Sequence, residues 1–246
     1  LEKLKERDKD KALWRDFLSE NAQTVRLIFA IMPGVVGVIA LDSISDSIFN
    51  YGALIYTNEF LYIDVTGINI MVLVPLIISF PLLFKVGRIS DQRGIRRAAL
   101  MVYSIMPVCA LLLIIAPQFP YWAPLFMVDG ANSILNGLGI VFTTPFLALV
   151  TKGVNDQLWG LVYITLIQKR MPRTDTSKIL GVFWSIIFII NPIGPFLGGL
   201  IFTYFYPSVL FLVVLCANLI ILGGIARFGL EGNTSKEPLD KNNESL

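Results

Sequence analysis

Residues 67–97 read GINIMVLVPLIISFPLLFKVGRISDQRGIRR, an apolar run of twenty residues (67–86) that passes directly into a basic cluster. Twenty apolar residues in helical form match the thickness of a bilayer's hydrocarbon core. The cluster at 85–97 holds five basic residues, Lys85, Arg88, Arg93, Arg96 and Arg97. Basic connections of this kind stay on the cytosolic side of a membrane. Working outward, further apolar runs lie at about 27–56, 98–116, 179–203 and 208–226, with a longer mixed region at 121–168. The expected class is therefore an all-α integral membrane protein.

Composition agrees. Of 246 residues, 55% are hydrophobic and 15% charged, against about 25% charged in a typical soluble domain. The net charge of +2 gives no reason to expect nucleic acid as a partner. Histidine is absent, which removes histidine catalysis and histidine metal sites. Cys109 and Cys216 sit in apolar runs and read as packing residues. No G-x-x-x-x-G-K-[ST] or G-x-S-x-G motif occurs. An enzyme is not expected, and neither is a cofactor or a metal.

The basic residues set the topology. Seven lie in the first 26 residues, five at 85–97, four at 168–178 and three from 227 onward, which is nineteen of twenty. The connections near 57–66, 117–120 and 203–207 hold none and carry interfacial aromatics such as Tyr62, Tyr121 and Tyr206. Both termini and both basic loops are thus expected in the cytosol, the bilayer here being the plasma membrane. An even number of crossings must separate 85–97 from 168–178. The region 121–168 then supplies one crossing, and the total is six. That crossing is either 121–150, with 157–168 on the cytosolic surface, or about 139–168, with 121–137 on the outer side. The polar segment DGANSILNG (129–137) favours the second.

Three units are expected. Residues 1–24 alternate acid and base with an apolar edge at Leu13, Trp14, Phe17 and Leu18, as a helix lying on the membrane surface would. Residues 25–228 form the membrane unit, and 229–246 a polar, disordered cytosolic tail. The basic start leads into an apolar run too long for a cleavable signal peptide. A first residue Leu1 fits a chain that begins inside a longer protein.

Span 1 carries Asp42, Asp46 and Asn50 at i, i+4 and i+8, so they share one helix face. An ionisable residue at the membrane centre costs about 2.5–3.5 kcal/mol on insertion scales. Such a face points to a polar cavity binding a substrate or proton, or to a satisfied contact between helices. Lys152 is the one basic residue off the cytosolic pattern, with Asn155 and Asp156 beside it.

The loop after span 2 resembles the signature between the second and third helices of each half in the major facilitator superfamily. Gly87, Asp91, Gly94, Arg96 and Arg97 are in register, while Gln92 replaces the usual base and Arg93 comes one place later. Gly194-Pro195-Phe-Leu-Gly198-Gly199, preceded by Asn191-Pro192, is similar to the end of the fifth helix in many members. Small residues there let helices pack closely, and proline bends them. The resemblance covers about 25–228 and implies one six-helix half of a transporter, the C-terminal one, partnered by an N-terminal half of the same polypeptide. It implies alternating access for a small-molecule substrate, with Gly87, Asp91, Arg93, Gly94, Arg96 and Arg97 as a gating loop. It also places spans 1 and 4 around the cavity, so that Asp42 and Lys152 would pair at matching depth.

Three functions compete on these grounds. The leading expectation is a secondary transporter coupled to an ion gradient, proton-driven efflux included. The others are a membrane-embedded enzyme or non-transporting scaffold, and the membrane part of an ATP-driven exporter.

Overall fold

The computed structural model describes residues 19–30, 32–63, 65–135, 137–170 and 176–227. The surface-helix expectation for 1–18, the tail at 229–246 and the basic connection around 171–175 lie outside the described residues.

The described chain is helical. A first helix α1 spans 19–30. After it come α2 (Pro33–Ile55), α3 (Val65–Arg93), α4 (Ile95–Tyr103), α5 (Ile105–Ile115), α6 (Leu125–Ile134), α7 (Thr144–Arg170), α8 (Thr176–Ile190), α9 (Ile193–Tyr204) and α10 (Pro207–Arg227). The one β contact among the described residues is an isolated bridge between Tyr121 and Thr143.

Among the described residues, five helical segments are long and apolar enough to cross a membrane: Pro33–Phe60, Gly67–Arg93, Ile95–Ile115, Thr176–Tyr204 and Pro207–Arg227. The shortest has 21 residues, or about 31 Å at 1.5 Å per residue. The 27 residues of α7 are long enough as well, but Lys152, Asp156, Lys169 and Arg170 lower its apolar character.

Local chemistry explains the breaks. Pro33 opens α2 at its first turn, where a missing N–H costs nothing. Pro107 cannot return a hydrogen bond to Tyr103, and the helix is interrupted at Ser104 between α4 and α5. Asn191-Pro192 separates α8 from α9, the bend expected from proline in that motif.

The basic loop is shorter than the family resemblance implied. Gly87, Asp91 and Arg93 lie within α3, and Arg96 and Arg97 within α4. Only Gly94 stands between the helices, with φ 86, a left-handed value that glycine accepts without a Cβ clash. Asp91 is exposed and makes no ion pair among the described residues. Arg96, by contrast, donates to the backbone carbonyl of Ala226 at the end of α10, where a cation also meets the negative end of the helix dipole.

Residues 121–135 and 137–143 fold together ahead of α7. The Trp122 indole N–H donates to the Val141 carbonyl at 3.0 Å, and the Gly139 N–H donates to Asn132 Oδ1 at 2.8 Å. Helix α7 then runs unbroken from Thr144 to Arg170. Residues 157–168 are therefore the continuation of the helix that holds Lys152 and not a separate segment.

Helix α2 is the centre of the bundle, packed on α10 and α9 with further contacts to α8 and α7, while α3 lies along α7. Two large apolar clusters fill the interior, one around Tyr103, Trp159 and Phe183, the other around Phe49, Leu113 and Phe211. Lys178 meets Glu20 at 2.8 Å and joins α8 to α1. Lys178 holds the Glu20 carboxyl below its ordinary range. That contact supports the fold above the ordinary carboxylate pKa and loses its effect as pH falls through the lowered value. Both side chains are exposed, so the effect is small and salt-sensitive.

Of the four expected packing residues, two do the packing. A Cβ on Gly194 would run into Ser47 and the backbone of Ile48, and one on Gly198 would lie 2.7 Å from the Tyr51 ring. Pro195 is exposed, and a Cβ on Gly199 would meet only the Tyr51 hydroxyl, at 3.6 Å. Gly194→Val is expected to destabilise the fold by about 1–3 kcal/mol through overpacking, while Gly199→Ala changes it little. Thermal unfolding of the two variants in detergent checks this, and equal midpoints would contradict the α2–α9 contact.

Candidate functional site

Four of the six expected site residues converge where α2 passes α7. The Lys152 ammonium is 4% exposed. It donates to Asp46 Oδ1, to Asp156 Oδ2 at 2.5 Å and to Asn50 Oδ1 at 3.5 Å. It also lies 5.0 Å from the centre of the Phe49 ring, within the range of a cation–π attraction. Asn50 in turn donates to Asp46 Oδ2 at 2.9 Å, a contact between successive turns of α2. The i, i+4 spacing brings Lys152 and Asp156 together on α7, and the same spacing stacks Asp46 on Asn50.

Asp42 corrects the expected pairing. It does not meet Lys152. Its Oδ1 accepts from the Tyr103 hydroxyl at 2.8 Å and its Oδ2 from the Trp159 indole N–H at 2.7 Å. Asp42 is 8% exposed, so this carboxyl is held by aromatic donors and not by an opposite charge. The physical reason is reach: one turn separates Asp42 from Asp46, about 6 Å along the axis. The Lys152 side chain comes in at the level of Asp46.

The Tyr103 hydroxyl also lies 3.0 Å from Asn218 Oδ1 on α10, and Ser45 Oγ donates to that same oxygen at 3.0 Å. A hydroxyl has one proton. Tyr103 therefore serves either the Asp42 carboxyl or the Asn218 amide oxygen at one time. Three helices, α2, α4 and α10, meet at this choice.

Asn155 stands apart. It is 0% exposed, and neither its amide oxygen nor its nitrogen finds a hydrogen-bond partner among the described residues. It lines neither of the two cavities that flank the charged group. The structure does not join it to the site.

The first cavity, about 300 Å³, lies between α2, α3 and α7. Asn50, Lys152, Asp156 and Gln157 are at its polar end, and Leu54, Met71, Val72 and Leu76 are among its apolar walls. The second, about 230 Å³, lies between α2, α7 and α8, with Asp42, Asp46, Asp156 and Asn191 in its lining. Asp156 borders both. The group Asp46–Lys152–Asp156 is thus a charged septum between two cavities. Its walls approach closely: a Cβ on Gly153 would lie 2.7 Å from Pro75 of α3.

Tyr103, Trp159, Asn218 and Ser45 were missed from sequence. Asn218 carried a readable signal, a lone amide in the otherwise apolar run 208–226. Nothing in the sequence sets Tyr103 or Trp159 apart from the other aromatics of the apolar runs, and only the assembled bundle brings them to Asp42.

No family model matches the chain, and no solved structure matches it.

Lys152→Met should strand two carboxylates and cost roughly 3–5 kcal/mol. Adding Asp46→Leu should recover part of that loss, whereas adding Asp42→Asn should recover little. Double-mutant cycles on unfolding midpoints test this, and equal coupling of Lys152 to both acids would contradict the geometry.

Proposed function

We propose that the chain is a six-span unit of a secondary active transporter for a small solute, coupled to an ion gradient, with protons as the coupling ion. The observation that carries this reading is the charged septum. A scaffold has no need of three carboxylates and an ammonium inside an apolar bundle, where each is costly to hold. A transporter uses such groups to bind its cargo and its coupling ion at a point reached from one side and then the other. The two cavities meeting at Asp156 suit that use.

In this reading the spans are α1–α2, α3, α4–α5, α7, α8–α9 and α10. Both termini face the cytosol of a plasma-membrane protein, and the resemblance to a C-terminal major facilitator half supplies the partner, a second six-helix half. Arg96 at the end of α10 and the Gly94 turn belong to the gate. Asp42 is the proton site. When Asp42 carries a proton on Oδ1, that O–H can donate a hydrogen bond to the Tyr103 oxygen, and the Tyr103 O–H can then donate to Asn218 Oδ1, each proton staying on its own oxygen. All three oxygens are then satisfied at once, so the proton on Asp42 and the α2–α10 contact are linked.

Uptake into proteoliposomes of the full-length protein under an imposed pH gradient tests the reading. Asp42→Asn should keep expression and folding yet abolish the response to the gradient, and an undiminished response would remove Asp42 from the coupling. Topology is tested separately after replacing Cys109 and Cys216 by Ala. A cysteine at Gln118 should react with an impermeant reagent from outside, and one at Gln92 should not. Reaction of both from one side would sink the six-span arrangement.

A further inference from the structure

The second cavity has a lining that selects by charge and shape. Three carboxylates border it, those of Asp42, Asp46 and Asp156, and no Lys or Arg does. Lys152 approaches Asp46 and Asp156 from the first cavity, so the second keeps a negative wall. The same lining includes Trp159, Tyr163 and Trp184. The rings form a row, with centroid spacings of 6.3 Å for Trp159–Tyr163 and 5.9 Å for Tyr163–Trp184, each pair edge to face.

Carboxylates exclude anions from such a space, and aromatic faces attract cations through their negative quadrupole. One further atom sharpens the class. Asp156 Oδ2 is taken by Lys152, but Oδ1 is buried and has no hydrogen-bond partner among the described residues. A buried carboxylate oxygen calls for a donor. A metal ion would use the acids and leave the rings idle, and a neutral polar solute would leave the excess of three carboxylates over one ammonium unbalanced. An N–H-bearing cation with an apolar body uses both.

We propose that this cavity binds an organic ammonium ion, its nitrogen at the Asp46 and Asp156 carboxylates and its apolar body against Trp159, Tyr163 and Trp184. Binding itself does not depend on the transporter reading; the cation's role as the cargo of that same site rests on it. Lys152 then acts as a tethered competitor: the incoming ammonium shares the two carboxylates that the lysine already holds.

Titration of the purified full chain in lipid nanodiscs, monitored by tryptophan fluorescence and calorimetry, tests it with three probes of one shape. The cation 2-phenylethylammonium should bind saturably and at least tenfold more tightly than neutral 2-phenylethanol, and phenylacetate should not bind. Trp184→Leu, at a half-buried position, should weaken the cation roughly tenfold, in line with loss of a cation–π contact. Asp156→Asn should weaken it further. Should that variant fail to fold, Trp184→Leu still decides. Equal binding of the cation and the alcohol, or unchanged affinity in Trp184→Leu, would overturn the proposal. Cation binding without gradient-driven uptake would support the cavity assignment and remove the transport reading. Gradient-driven uptake of another solute, with no cation binding, would do the reverse.

Discussion

The bundle is organised around one ammonium group. Lys152 is held between carboxylates on two helices, and the arrangement near it reflects the cost of leaving a charge in an apolar interior. Its paired acids fix the rotation of α2 against α7, because only one face of each helix carries them. That rotation turns Asp42 away from the lysine and toward Tyr103 and Trp159. It also leaves Asp156 on the border of both cavities. Moving the ammonium by one helical turn would exchange an ion pair for a carboxyl held by neutral donors, with a different charge on each side.

The apolar packing serves the same geometry. Gly194 and Gly198 let α9 lie against α2 at Ser47 and Tyr51, and Gly153 lets α7 approach Pro75 of α3. These close approaches of α2 to α9 and of α7 to α3 lie near Asp46 and Lys152 in sequence, so the two helices that carry the ion pair are each braced by another neighbour. The chain thereby combines tight backbone contact with space: the cavities lie beside the crossings.

Much of this architecture could be read from the chain. Long apolar runs identified five helices of membrane-crossing length, and the basic stretches marked their ends. The region 121–168 was harder to read, because Lys152 and Asp156 make α7 less apolar than the other long helices. Depth along a helix was legible, which is why Asp42 and Lys152 looked like partners. Azimuth and side-chain reach were not, and these decide that Asp46 takes the lysine. The pair Lys152–Asp156 could be read from spacing on one helix, whereas the Asp42–Tyr103–Asn218 contacts join residues 61 and 115 positions apart in sequence. No local pattern encodes such contacts. The segment 87–97 read as a loop because it is polar, but polarity marks exposure and not backbone shape, and α3 continues through it to Arg93.

The break at Asn191-Pro192 has a mechanical meaning. Beyond it, α9 is clamped to α2 by its glycines, while before it α8 carries Phe183 and Trp184 on the wall of the second cavity. Ser47 Oγ lies 3.5 Å from Asn191 Oδ1 at the junction. The break thereby divides one long apolar segment, Thr176–Tyr204, into a part that packs backbone-close on α2 and a part that supplies aromatic wall to the second cavity, so one stretch of sequence serves both contact and space.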